Sequence, residues 1–127
     1  MIKQLTIFVS CLFLLSGCVT PMVQPLINAE NKLKETVAAQ QKKQVDQSSA
    51  KIKCQEACQQ AVTANGRDFS SGPCLSNEVI EDWACDIVHV PRLPADNDPA
   101  NQCASFREGK VQHFVEVDLN CTVVDYY

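Results

Sequence analysis

Residues 50–66 read Ala50-Lys51-Ile52-Lys53-Cys54-Gln55-Glu56-Ala57-Cys58-Gln59-Gln60-Ala61-Val62-Thr63-Ala64-Asn65-Gly66. Ala50, Cys54, Ala57, Cys58, Ala61 and Val62 recur at helical spacing, so they share one face of an α-helix. Lys, Gln and Glu, all good helix formers, fill much of the rest. Asn65-Gly66 then supplies a C-terminal stop. Cys54 and Cys58 stand one above the other on the apolar face. Rigid helix geometry argues against a bridge between them. Two separate bridges to the following segment would clamp the helix at two points. A pair of metal thiolates is the alternative, but zinc sites more often use Cys-x2-Cys.

Downstream, Gly66 to Ser76 reads as a loop whose Gly72-Pro73 turn places Cys74. Asn77 can cap a second helix, with Glu78, Glu81 and Asp82 in its first turn and Val79, Ile80, Trp83, Ala84, Ile87 and Val88 at helical spacing. The competing reading is a strand from Trp83 to Val90, ended by Pro91. In either case Trp83 is expected in the core, beside disulfide sulfur. Residues 91–98 form a loop. Asp98-Pro99 then has the form of an N-cap followed by Pro, which predicts a short helix carrying Cys103 and stopped by Gly109. From Lys110 the period changes to two. Val111, His113, Val115 and Val117 alternate with Gln112, Phe114, Glu116 and Asp118, as in a half-buried strand. Asp118 to Cys121 is turn-like and Thr122 to Tyr127 is β-rich again, which predicts a C-terminal hairpin. Two strands are marginal alone, so a helix should cover one face.

Upstream of residue 50 the character differs. Residues 28–53 hold no Gly or Pro, and their apolar positions Leu33, Val37, Val45 and Ile52 form a thin, imperfect stripe. That pattern fits a solvated helical or partly disordered spacer better than a coiled coil, which needs sustained heptads. Asn28 can cap its start, and Gln47-Ser48-Ser49 is a soft point. Pro21 and Pro25 make residues 19–27 a short extended tether. The first residues, Met1-Ile2-Lys3-Gln4, are followed by an apolar run from Leu5 to Leu15, too short to span a bilayer and right for an export signal. The run ends in Leu15-Ser16-Gly17-Cys18, which resembles the lipobox of prokaryotic lipoproteins at every position. The resemblance covers residues 1–18 only. It implies cleavage before Cys18, which becomes a lipidated first residue. Several acyl chains on one Cys hold a protein stably at about 0.8 kcal/mol per CH₂ buried. Val19 stands where an Asp would resemble an inner-membrane retention signal, which favours the outer membrane in a two-membrane host. Three segments follow: a signal peptide over 1–17, a lipidated Cys with tether and spacer over 18–49, and a Cys-rich head over 50–127.

The chain has eight cysteines in 127 residues. Without Cys11 in the signal and Cys18 on lipid, Cys54, Cys58, Cys74, Cys85, Cys103 and Cys121 remain. An even set in a small exported domain reads as three disulfides, with 15 pairings open. The expected fold is therefore α+β: a disulfide-stapled domain with an N-terminal helix and a C-terminal β-hairpin. Charge is uneven across it. Residues 19–53 carry six Lys against three acids, and residues 54–127 carry four basic residues against twelve acids. An acidic head disfavours nucleic acid and favours basic partners through long-range attraction.

Candidate chemistry is thin. His89, His113 and Asp86 could converge on a metal or form a catalytic site, although His89 reads more simply as the end of an element and His113 as a cross-strand packing residue. Asp96-Asn97-Asp98 resembles the start of a calcium loop, but no Gly or closing Glu follows at EF-hand spacing, so Asp98 reads as a helix cap. Asn120-Cys121-Thr122 matches a glycosylation triplet only formally, because Asn120 has a turn role. No thioredoxin-like cysteine pair and no glycine-rich phosphate loop occurs, and no cofactor is implied. The expected function is a non-enzymatic envelope lipoprotein, held on a lipid bilayer through Cys18, whose head binds an envelope protein. Tyr126 and Tyr127 are candidates for its contact surface. An inhibitor or immunity-type protein against a secreted enzyme, and a metal-binding or enzymatic head using His89 and His113, are the alternatives.

Overall fold

A computed structural model describes residues 23–66 and 68–127. The expected lipobox signal over residues 1–18, Cys18 included, and the start of the expected tether lie outside the described residues. The chain divides into two compact units, Met1–Gln40 and Gln41–Tyr127.

Helix α1 spans Val23–Asn65. Pro25 lies in its first turn, where a missing N–H breaks no intrahelical bond. The tether is therefore shorter than expected, and Asn28 lies inside the helix rather than capping it. The serines at 48 and 49 do not interrupt it either, because Ser48 Oγ donates to the Gln44 carbonyl at 2.9 Å. Every residue from Pro25 to Val45 is exposed. The Glu30–Lys34 and Lys42–Asp46 pairs along this stretch are solvated and add little. Among the described residues, Ala50 is the first fully buried side chain. The helix ends as its sequence predicts: Gly66 takes φ +75 and donates its N–H to the Val62 carbonyl.

Within the second unit, four strands form one sheet in the order β1 (Cys74–Ile80), β2 (Trp83–Ile87), β3 (His113–Val117), β4 (Val123–Tyr126). The expected helix over 77–88 does not form. Glu81-Asp82 is instead the turn of an antiparallel β1–β2 hairpin, in which Ile80 opposes Trp83. Asp82 takes φ +66, a conformation its short polar side chain tolerates. Its carboxylate accepts the Gln112 N–H at 2.6 Å and its carbonyl accepts the His113 N–H at 3.1 Å. These two bonds seat the start of β3 alongside β2. The pairing of β2 with β3 is parallel, from Trp83 opposite His113 to Ile87 opposite Val117. The β3–β4 pair is the expected C-terminal hairpin. In its turn, Asp118 Oδ1 accepts the N–H groups of Asn120 and Thr122, both at 2.8 Å.

A parallel pair needs a crossover, and residues 88–112 supply it. They contain a 3₁₀ turn, Pro94–Asn97, and one helical turn, α2 (Ala104–Arg107). The longer helix expected from Asp98 is absent. Asp98 ends the 3₁₀ turn, its carboxylate accepts the Ala100 N–H, and Cys103 is the N-cap of α2 rather than a residue within it. Residues 99–101 are a turn in which the Asn101 N–H donates to the Asp98 carbonyl, and the Cys74–Cys103 bridge and the Cys74 N–H to Asn101 carbonyl bond tie this segment to the start of β1.

The sheet is thus a middle layer. On one face Trp83, Cys85, Ile87, Val115 and Val117 pack with Ala50, Cys54 and Cys58 of α1 and with Phe69 and Cys121. Trp83 is in the core as expected, in the same cluster as two bridges. On the other face Ala84, Cys103 and Val111 pack with Phe106 and Phe114. Glu116, expected on a solvent face, is buried because the crossover covers it. The bridges are Cys54–Cys85, Cys58–Cys121 and Cys74–Cys103. The first two clamp α1 at two points, one to β2 and one to the β3–β4 turn.

Candidate functional site

The period of two in β2 and β3 sends Ala84, Asp86, Phe114 and Glu116 to the face away from α1. The crossover lies over that face without filling it, and a cavity of about 420 Å³ remains. Phe106 and Phe114 meet edge to face, 5.0 Å between ring centroids, and form its apolar wall with Ala84. Gln102 and Arg107 approach from α2 and the residues leading into it, and Arg92 from the loop after β2.

The polar floor holds two carboxylates that the parallel register places side by side, Asp86 opposite Glu116. Arg92 grips Glu116 with both terminal nitrogens, at 2.8 and 3.0 Å. Its Nε donates to Asn97 Oδ1 at 3.0 Å. The Glu116 hydrogen bonds raise the Arg92 pKa further above its ordinary value. Asp86 is less well provided. Its Oδ1 is buried with no hydrogen-bond partner among the described residues. Burial first, and then the neighbouring Glu116 charge, push its carboxyl up to about 7.

The second buried carboxylate group, at Asp96, is fully engaged. Asp96 accepts the Leu93 N–H at 2.7 Å and the His89 N–H at 3.2 Å, and His89 Nδ1 lies 2.8 Å from its Oδ1. Burial would raise its pKa, but these partners outweigh burial and hold it below the usual carboxylate value. His89 is thereby committed to Asp96. His113 stacks on Trp83 at 4.6 Å between centroids, and its Nδ1 lies 3.1 Å from the Tyr127 carbonyl oxygen. Asp86, His89 and His113 are not brought together, and no group of three or more His, Cys, Asp or Glu placed to hold a metal occurs among the described residues. Tyr126 and Tyr127 are both exposed, and Lys51 Nζ lies 3.2 Å from the centroid of the Tyr126 ring.

Arg92 and Glu116 are not candidates in the sequence, and Asp96 enters there only as the first residue of the calcium-loop-like Asp96-Asn97-Asp98. A usable signal exists for both cavity carboxylates. Asp86 and Glu116 each interrupt an apolar β-rich run, in Cys85-Asp86-Ile87 and Val115-Glu116-Val117, and a lone charge there needs a reason. Comparison of the chain with protein-family models, with characterised proteins and with solved structures found no match.

Proposed function

We propose that this is a lipid-anchored envelope protein whose disulfide-closed head is a non-enzymatic binding module for a basic partner protein. The observation that carries the proposal is the succession of Leu15-Ser16-Gly17-Cys18 and a head in which six cysteines form three bridges. The motif supplies a route to the outside of the cell, and the bridges need an oxidising compartment. No helix among the described residues is long and apolar enough to cross a membrane, so an acylated Cys18 would supply the attachment. The excess of acids over bases in residues 54–127 supports a basic partner. The test is affinity capture from native membranes with the lipidated chain as bait and residues 18–49 as control. A basic protein recovered by the full chain alone, and released by salt that screens charge, is the expected result. Equal recovery by the control would move the binding role to the spacer. No specific recovery by either would remove it.

A further inference from the structure

The cavity floor has a charge imbalance. Two carboxylates share it, and Arg92 is bonded to only one of them: it spends its terminal nitrogens on Glu116 and its Nε on Asn97. Asp86, 9 % exposed, lines this cavity with Phe106 and Phe114, and its buried Oδ1 has no hydrogen-bond partner among the described residues. A buried polar group without a partner is costly, and a cation is the partner that answers a carboxylate. We propose that this cavity binds an ammonium or guanidinium group on an apolar stem, as a partner's Lys or Arg side chain presents it, with Asp86 as its anchor and the two phenylalanines along its stem.

This rests on the binding role above and names the chemistry of the partner. Arg107, exposed on α2, is the remaining cation at the rim. An anionic ligand drawn to it would have to sit over Asp86 and Glu116. The charged groups facing Asp86 are Glu116 from β3, Arg92 and Asp96 from the crossover, and Arg107 from α2. Since Asp86 takes a proton near neutrality, cation and proton compete for it. Binding should weaken about tenfold per pH unit below about 7.

The test uses the full oxidised chain in detergent micelles, titrated calorimetrically with n-butylammonium, n-butylguanidinium, the neutral n-pentanol and the anion valerate. Nα-acetyl-lysine amide tests the side chain as a protein carries it. The expected result is saturable binding of the cations and the lysine amide, with proton release near neutral pH. Pentanol and valerate should bind at least tenfold more weakly. Asp86→Asn, which keeps the side-chain shape, should cost the cations at least tenfold and leave pentanol unchanged. Equal binding of valerate, or cation binding that survives Asp86→Asn with its circular dichroism intact, overturns the assignment. The two readings fail separately. Membrane capture that persists in Asp86→Asn keeps the binding role and removes the cavity from it. Cation binding without any captured protein keeps the cavity chemistry, with a free amine as its source, and removes the protein partner.

Discussion

Asp86 and Asp96 respond to pH in opposite directions. Asp96 is held below its ordinary value in the fold, so it stabilises the head above about pH 4 and that contribution is lost as pH falls further. Asp86 is held up, at about 7. Between about pH 4 and 7 the unfolded chain loses this proton while the folded chain keeps it, so stability falls across that window and is level above it. The difference is on the order of 2–4 kcal/mol. Asp86→Asn should therefore raise the urea midpoint at pH 8 and change it little at pH 4. An equal change at both values would mean that the carboxyl is not held up in the fold. A second prediction concerns Gly72, which takes φ +63 where an added Cβ would run into Asp96 Oδ1 and lie 3.1 Å from the Ile87 carbonyl oxygen. Gly66 has φ +75 and open space around it. Gly66→Ala should lower stability by about 1 kcal/mol for backbone strain alone. Gly72→Ala should cost clearly more, because Asp96 and the bonds it accepts must also shift. Thermal melts of the two variants measure the difference. Residue roles of this kind were legible only in part. Asp86 and Glu116 stand out as lone charges in apolar runs. Asp96 does not, since its partners lie three and seven residues back across a loop with no period to read.

At the scale of elements, sequence and structure agree where local chemistry dominates. The apolar face of residues 50–62, the Gly66 stop and the β3–β4 hairpin are legible because each is set by residues close in the chain. The β1–β2 hairpin matches helical spacing for a physical reason, and the structure has the competing strand from Trp83 instead. All five residues of β2 are buried, since both faces of the sheet are covered. A strand covered on both faces loses its polar alternation and can match helical spacing by accident. The α2 region fails differently: its Asp-Pro cap signal is real, but the Cys74–Cys103 bridge and the pairing to Cys74 override it. The three bridges close segments of 31, 63 and 29 residues. In chain-entropy terms, doubling a loop changes the stabilisation by only about 0.6 kcal/mol. Packing should therefore set their order. Cys54 and Cys85 are fully buried, whereas Cys74 is only half-buried. Replacing Cys54 and Cys85 together by Ala should cost about 4 kcal/mol, and replacing Cys74 and Cys103 about 2–3 kcal/mol. Melting temperatures of the paired variants give the order, and the reverse order would show that burial of a bridge does not set its contribution, since the two loops are nearly equal in length. Full reduction should unfold the head, since the three bridges together match the whole stability of a small domain.

For the whole molecule, the proposed lipid attachment at Cys18 makes one expectation simple to check. Cys18→Ser should move the protein from the membrane fraction to the soluble envelope fraction, read by fractionation and blotting. Persistence at the membrane would place the attachment elsewhere in the chain. The layered arrangement of the second unit was not legible as a whole. It depends on β2 pairing in parallel with β3 across residues 88–112, and no local pattern announces a partner that far away. The even count of head cysteines pointed to covalent closure but not to which layers it would join. That pairing has a mechanical consequence. Cys54 and Cys58 join α1 to Cys85 and Cys121 one helical turn apart. Tension arriving along the helix from its N-terminal side enters the sheet through those two covalent links. A puller on the N-terminal side of α1 therefore loads β2 and the β3–β4 turn, and the head should resist extension in a force clamp until the bridges are reduced.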